Sequence, residues 1–296
     1  MTGFFNGIAT AMVTPFTDGG VNFKELAKMI EYQIAGGTDA LVILGTTGEP
    51  ATMTEDEKKE VIRFAVSAAN KRIKIIVGTG SNDTKKAVAA SINAEKAGAD
   101  GVLAVTPYYN KCTQKGLFGY YKEICNAVKI PVIAYNVPSR TGVNILPETA
   151  ARIAEIENLA GIKEASGSMA QVMETMRLIR GKADLYSGED ALNLPIFAVG
   201  GAGAVSVVSN IAPSQVKKIY NLVKENKLKE ANEENDRLLP LCSACFIEVN
   251  PIPVKAAYGM IGFNAGTPRS PLTELEESHK DALKNAIKYA GVKVYD

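Results

Sequence analysis

The feature that most constrains the fold of this chain is a regular alternation of short apolar runs with longer amphipathic ones. The eight apolar runs are GIATAMVTP from Gly7, DALVILG from Asp39, KIIVGTG from Lys74, GVLAVTP from Gly101, PVIAYNVP from Pro131, LAGIKEAS from Leu159, DLYSGED from Asp184 and GAVSVVSN from Gly203. They are nearly continuous in apolar residues, which is typical of parallel strands covered on both faces. Helical patterns such as FKELAKMIEYQIAGG and TEDEKKEVIRFAVSAAN separate them. Eight such units within about 225 residues predict an α/β fold, a (β/α)8 TIM barrel.

A doubly wound open sheet is the alternative fold. Its dinucleotide-binding version carries a glycine fingerprint directly after the first strand, whereas here the first strand runs into VTPF. The nearest candidates, at 78–80 and 200–203, lack the third glycine at the required offset. The sequence therefore favours the closed barrel.

From about Lys224 onward only helical patterns remain. They comprise a charged helix, an apolar one through Cys245 and a closing one after Pro271. The segment VNPIPVKAA contains two prolines and predicts a fixed connection between helices. We therefore expect a barrel over residues 1–224 and a small C-terminal all-helical extension over 225–296.

Charge and histidine content exclude several classes of function. The 33 basic and 32 acidic side chains leave a net charge of +1, which gives no electrostatic footprint for nucleic acid or an acidic membrane. The single histidine, His279, lies in a polar run, so we expect it to be a solvated residue on a helix surface. A histidine-based triad or metal site is not expected. The chemistry then has to rely on lysine, tyrosine, hydroxyl or carboxylate groups.

The amino-terminal residues and the cysteines indicate the cellular compartment in which the protein is expected. The start, MTGFFNGIATAMVTPF, lacks the basic region and cleavage site of a signal peptide, and no apolar run reaches the roughly 18–20 residues of a membrane helix. A cytoplasmic protein with reduced thiols is the expectation. Cys242 and Cys245 form a C-x-x-C pattern inside an apolar helix, where we expect them to pack as small hydrophobes.

Polar residues at the predicted strand ends are the catalytic candidates, because active sites of such barrels lie where strands run into the following loops. Lys163 stands out in the sixth strand, since burial there would lower its pKa and make its amine nucleophilic. A structural ion pair with Glu164 is the alternative, although adjacent strand residues face opposite sides. Tyr135, one strand earlier, is a candidate proton shuttle or a packing residue. The hydroxyls of Thr46 and Thr47 are placed to hold that phenol, and the backbone N–H groups of the turn from Gly45 to Gly48 are placed to approach a small carboxylate.

These residues lie in motifs that resemble the dihydrodipicolinate synthase family, in the pyruvate-dependent class I aldolase superfamily. The motifs are GTTGE at 45–49, YYNK at 108–111, YNVPSRTG at 135–142, GIKEASG at 161–167, YSGED at 186–190, GAVSV at 203–207 and NPIPVKAA at 250–257. They occur in the family's order and spacing and cover essentially the whole chain.

The resemblance implies a role for each candidate. Lys163 forms a Schiff base with pyruvate, whose enamine condenses with L-aspartate 4-semialdehyde on the route to diaminopimelate and lysine. Tyr135 relays protons through Thr46 to Tyr109 of a neighbouring subunit. The substrate-binding residues are Thr47, Gly188 and the backbone at Val205 for pyruvate, and Arg140 for the semialdehyde carboxylate. Neither a metal nor an organic cofactor is needed.

The shared Tyr109 implies a homo-oligomer, either a dimer or a tetramer built from two dimers. Feedback-inhibited members of the family bind lysine with neutral or acidic side chains near the GTTGE loop. Here the corresponding positions are Pro50, Glu55, Lys58, Asn82, Lys86 and Tyr108. The two added cations predict weak or absent inhibition by lysine.

Two alternative functions stay open. A sister aldolase, such as N-acetylneuraminate lyase or a keto-deoxy sugar acid aldolase, would share Lys163, Tyr135 and GTTGE but not the Ser139-Arg140-Thr141 run. A non-catalytic ligand-binding barrel would be expected to lack the lysine or the tyrosine, and both are present.

Overall fold

The computed structural model describes residues 2–295, and its centre is a closed barrel of eight parallel strands. The strands are β1 Gly7–Ala11, β2 Ala40–Ile43, β3 Lys74–Gly78, β4 Gly101–Val105, β5 Val132–Asn136, β6 Leu159–Glu164, β7 Asp184–Ser187 and β8 Gly203–Ser206. β1 pairs in parallel with both β2 and β8, which closes the sheet. The predicted barrel is confirmed, and the open sheet is excluded.

Helices connect the strands and surround the barrel. They are α1 Phe23–Ala35, α2 Glu55–Ala69, α3 Thr84–Lys96, α4 Gln114–Ala127, α5 Pro138–Thr141, α6 Pro147–Ile153, α7 Met169–Ile179, α8 Asn193–Ala198 and α9 Pro213–Lys224. The start of α2 is fixed by a capping box, in which Thr54 and Glu57 bond to each other's backbone amides. Asp83 caps α3 in the same region of the molecule by accepting from the Lys85 amide.

The strands are buried on both faces, as their apolar composition predicts. β1, β2, β5, β6 and β8 are buried at every position. Tyr135 and Lys163 are directly opposite each other in the β5–β6 pairing, so their side chains leave the sheet on the same face. A short hairpin, Phe16–Thr17 with Gly20–Val21, follows β1 and was not predicted.

Three further helices follow the barrel: α10 Leu228–Ala244, α11 Ile252–Met260 and α12 Glu277–Tyr289. Two expectations are corrected here. The charged and apolar patterns form one helix, α10, with Pro240 inside it. The segment expected to be a connection instead begins α11, because Pro251 and Pro253 lie at its amino-terminal end, where a missing N–H breaks no helical hydrogen bond.

The boundary at residue 224 stays a prediction. Helix α9 ends at Lys224, as the boundary requires. However, Leu238 of α10 and Leu283 of α12 belong to the same buried apolar cluster as Ile8 of β1. The extension therefore shares its core with the barrel.

The expectation that His279 lies on a helix surface is confirmed in part, since it belongs to α12 and is partly exposed, and the expectation for the cysteines agrees with the structure. His279 is only 34% exposed, because its Nδ1 lies 2.7 Å from Glu248 Oε1. Cys242 and Cys245 are buried free thiols at the end of α10, and burial raises the pKa of both. Between residues 2 and 295, no helix combines the length and apolarity needed to cross a bilayer.

Candidate active site

Lys163 is buried at the carboxyl end of β6, with 5% of its surface exposed. Burial lowers the pKa of its amine to about 7, because the charged form loses hydration. The Arg140 guanidinium lowers this pKa further, whereas the Asp190 carboxylate raises it. The amine is thus available in its neutral, nucleophilic form near neutral pH.

The alternative reading of Lys163, a structural ion pair with Glu164, is not what the structure shows. Both Glu164 oxygens accept from Asn136 Nδ2, at 3.1 and 3.0 Å. The same carboxylate accepts from the Ser166 amide at 2.7 Å and from Gln171 Nε2 at 3.2 Å. The Glu164 carboxylate therefore makes its hydrogen bonds on the face of the strand away from Lys163.

Tyr135 lies directly beside the lysine. The Lys163 Nζ is 4.0 Å from the centre of the Tyr135 ring. Burial raises the pKa of the Tyr135 phenol to about 12, with Arg140 and a hydrogen bond to Thr46 acting in the opposite direction. The phenol is therefore neutral at physiological pH and can both donate and accept a proton.

The glycine-bounded turn after β2 is a short 3₁₀ helix over Thr46–Gly48. It is flanked by Leu44 and Glu49, which both have left-handed backbone conformations with φ of 58° and 54°. Thr46 reaches the Tyr135 phenol. Thr47 is buried, and its hydroxyl oxygen accepts from Asn250 Nδ2 at 3.0 Å. This turn therefore presents one hydroxyl to the phenol and buries the other.

Gly188 leaves the space into which the lysine extends. A Cβ at this position would lie 2.9 Å from Lys163 Cε and 2.8 Å from Ala165 Cβ. The Asp190 carboxylate, two residues on, accepts from the Val207 and Val208 amides at 2.8 and 3.0 Å. It thereby fixes the end of β8, where Val205 is buried.

The two remaining candidates lie nearer the surface. Arg140 is exposed on the single-turn α5, and its Nη2 donates to the Asn250 carbonyl at 3.4 Å. Its positive charge is close enough to lower the pKa of both Lys163 and Tyr135. Tyr109 has a left-handed backbone, with φ of 69°, and is 91% exposed in the single chain. Tyr109 thus points away from the packed interior of its own chain.

Three contributors were missed from the sequence. In the sequence, Asp190 and Asn250 stand out only as members of the YSGED and NPIPVKAA motifs. Lys255 forms a fully buried ion pair with Glu49 of the GTTGE turn, at 2.6 Å. Asn250 and Lys255 reach the site from the C-terminal extension, across more than 200 positions of sequence.

Chemically, the arrangement combines a neutral buried amine, a neutral phenol, a buried hydroxyl and a guanidinium. This combination suits imine formation with a small keto acid, because the amine attacks the ketone while the hydroxyl and cation bind carboxylates. Across residues 2–295, no three His, Cys, Asp or Glu side chains cluster as metal ligands do. The expectation that no cofactor is needed stays a prediction.

Comparison with known proteins places the chain in a family. The model of the dihydrodipicolinate synthetase family matches residues 4–290. The 4-hydroxy-tetrahydrodipicolinate synthase of Caldicellulosiruptor bescii is 48% identical and covers 98% of both chains. The dihydrodipicolinate synthase of Thermotoga maritima superimposes with a TM-score of 0.95 at 42% identity, covering 97% of this chain and 99% of that one.

A further solved structure, described as a monomeric dihydrodipicolinate synthase variant, superimposes with a TM-score of 0.96 at 41% identity and covers 98% of both chains. The resemblance predicted from the motifs is confirmed, as is the expectation of an enzyme. This chain belongs to the dihydrodipicolinate synthetase family.

Proposed function

We propose that this enzyme condenses pyruvate with L-aspartate 4-semialdehyde to form 4-hydroxy-tetrahydrodipicolinate, in the biosynthesis of diaminopimelate and lysine. The observation that carries the proposal is the buried Lys163 amine, with its pKa near 7, against the ring of Tyr135. The relatives named 4-hydroxy-tetrahydrodipicolinate synthase support the choice of product, and the family resemblance of the motifs implies the two substrates.

The first half of the reaction activates pyruvate. The neutral Lys163 amine attacks the ketone carbon, and loss of water gives an imine. The protonated imine then loses a proton from the pyruvate methyl group to the Tyr135–Thr46 relay, and its nitrogen takes the electron pair of the broken C–H bond, which gives the enamine. The Thr47 hydroxyl and the backbone at Val205 hold the pyruvate carboxylate, and Gly188 leaves room for the adduct.

The second half forms the carbon–carbon bond and releases the product. The enamine carbon adds to the aldehyde, whose oxygen takes a proton from Tyr135. The semialdehyde amine then attacks the imine carbon and closes the ring, and its proton passes to the Lys163 nitrogen, which leaves as the free amine. Arg140 binds the semialdehyde carboxylate, a task suited to a bidentate guanidinium.

The Tyr135 proton is replaced through Thr46, with which it shares a hydrogen bond. We propose that Tyr109 of a neighbouring subunit completes this relay, because its ring is almost fully exposed on a strained loop of its own chain. The active form is then at least a dimer, or a tetramer built from two dimers, in the cytoplasm. If so, Tyr109→Phe should lower kcat in an assembled enzyme. A fully active monomer in sedimentation would exclude this role.

Weak or absent inhibition by lysine is part of the proposal. Lys58 is paired with Glu55 at 2.8 Å, so part of its charge is neutralised, whereas Lys86 lies exposed near the start of α3. Lys86 therefore carries most of the repulsion toward a dicationic amino acid. Lys86→Glu should increase inhibition by added lysine, with Lys85→Glu as the neighbouring control. Half-inhibition of the unmodified enzyme by sub-millimolar lysine contradicts this proposal.

One experiment tests the core of the proposed function. The enzyme is incubated with pyruvate, reduced with borohydride and mapped by mass spectrometry. An adduct at Lys163, absent from Lys163→Ala, is expected, and its absence overturns the proposal.

A coupled assay then compares aspartate semialdehyde with sugar-acid substrates, and preference for the latter indicates a sister aldolase. Arg140→Ala should retain the adduct but lose activity with the semialdehyde.

A further inference from the structure

Asn250 links the two groups proposed to bind the substrate carboxylates. Its side-chain Nδ2 donates to Thr47 Oγ1 at 3.0 Å. Its main-chain carbonyl accepts from Arg140 Nη2 at 3.4 Å. Asn250 is itself buried, and its side-chain oxygen has no hydrogen-bond partner within the described residues. A single residue of the C-terminal extension therefore contacts both anion-binding groups.

The direction of the Thr47 contact matters for its chemistry. A threonine hydroxyl has one proton to donate and lone pairs that accept. Because the Asn250 amide donates to the oxygen, it occupies a lone pair and leaves the hydroxyl proton free. That proton is then available to a carboxylate, to which a charge-assisted hydrogen bond is stronger than one to a neutral group.

The position of Asn250 is fixed by its surroundings. It lies just before α11, and Lys255 of that helix forms the buried ion pair with Glu49, two residues after Thr47. The Glu49 carboxylate also accepts from the Arg269 amide at 2.8 Å. Two separate contacts thus hold the extension against the substrate-binding turn.

We propose that Asn250 is a positioning residue, which aims the Thr47 hydroxyl proton at the carboxylate of the keto acid. The inference rests on the proposed function, since it requires Thr47 to bind pyruvate. It predicts that Asn250 acts on pyruvate binding through Thr47, without contacting the reacting atoms.

The test measures the pyruvate concentration that half-saturates borohydride-trapped adduct formation at Lys163. Asn250→Ala should raise this concentration about tenfold, the effect of losing one hydrogen bond to a charged group. Asn250→Asp should raise it at least as much, because a carboxylate accepts the Thr47 proton instead of leaving it free. Asn158→Ala is the matched control: Asn158 also uses its amide as a donor, but to the Cys125 and Val128 carbonyls ahead of β6. It should leave the half-saturating concentration unchanged.

A double variant separates positioning from a general loss of structure. In the Thr47→Val background, Asn250→Ala should produce no further change, because the hydroxyl it positions is already absent. The inference is overturned if Thr47→Val and Asn250→Ala have additive effects on the half-saturating pyruvate concentration. It is also overturned if Asn250→Ala alone leaves that concentration unchanged. Unfolding of both Asn250 variants, with Thr47→Val still folded, assigns Asn250 a structural role and also overturns it. If the unmodified enzyme forms no adduct at all, the proposed function has failed instead.

Discussion

The Lys163 amine and the Tyr135 ring are in register on neighbouring strands, with the nitrogen 4.0 Å from the ring centre. An aromatic face favours a protonated amine. Burial opposes this effect and prevails, since the pKa of the amine falls to about 7. The same burial raises the pKa of the phenol to about 12. The pair thus holds in contact a nucleophile that is uncharged above about pH 7 and a proton donor that is uncharged up to about pH 11.

The first prediction concerns the pH dependence of adduct formation. Because only the neutral amine attacks the ketone, kcat/KM for pyruvate should rise with pH to about 7 and level off above it. Ionisation of the Tyr135 phenol should cause no fall in kcat/KM below about pH 11. Initial rates across this range provide the measurement. A rise that continues toward pH 10.5, the ordinary lysine value, would show that Lys163 is not desolvated in solution.

The second prediction concerns stability. Lys163 has its folded pKa depressed from 10.5 to about 7, so between these values the unfolded chain binds more protons. The stability of the unmodified protein should therefore rise with pH across this window. Lys163→Met should abolish adduct formation but stabilise the fold at pH 7 by roughly 4 kcal/mol, a gain that vanishes near pH 10.5. Urea denaturation at several pH values measures it, with the exposed Lys85→Met as control. If Lys163→Met raised the free energy of unfolding equally at every pH, the depressed pKa of the buried amine would not be the cause.

The third prediction concerns the space beside the lysine. Gly188→Ala places a methyl group 2.9 Å from Lys163 Cε, so the side chain must shift from its reactive position. Adduct formation should slow by about a hundredfold, since a displacement of roughly 1 Å can have that effect. The control is Gly259→Ala, whose added Cβ meets no atom within 4 Å. Comparable rates in the two variants would show that Gly188 is not essential for the lysine's placement.

Much of the fold could be predicted because its signals are local. Each barrel strand is a nearly continuous apolar run, and the caps at Thr54 and Asp83 each satisfy a helix amide within three residues. Lys163 was recognisable because a lysine inside such a run is rare. The merging of two predicted helices into α10 was missed, because the pattern changes from charged to apolar within one continuous helix, which also contains Pro240.

The contacts that complete the site could not be predicted in the same way. The bonds from Asn250 to Thr47 and from Lys255 to Glu49 depend on how the extension folds back over the barrel. Nothing in the local pattern of NPIPVKAA indicates a partner 200 positions away. Its prolines suggested a connection, whereas they begin the helix that carries Lys255.

The last prediction tests this long-range ion pair. The Lys255 and Glu49 side chains are almost completely buried, with 0% and 2% of their surfaces exposed. Lys255→Met leaves the Glu49 carboxylate buried without its counter-ion, so unfolding should become easier by about 3–5 kcal/mol. The exposed pair Lys280–Glu277 supplies the control, since Lys280→Met should leave the free energy of unfolding almost unchanged. Adding Glu49→Gln should recover part of the loss, because the uncompensated charge is then removed. Equal free energies of unfolding for the two single variants, measured in urea, would mean that the buried pair does not hold the extension on the turn.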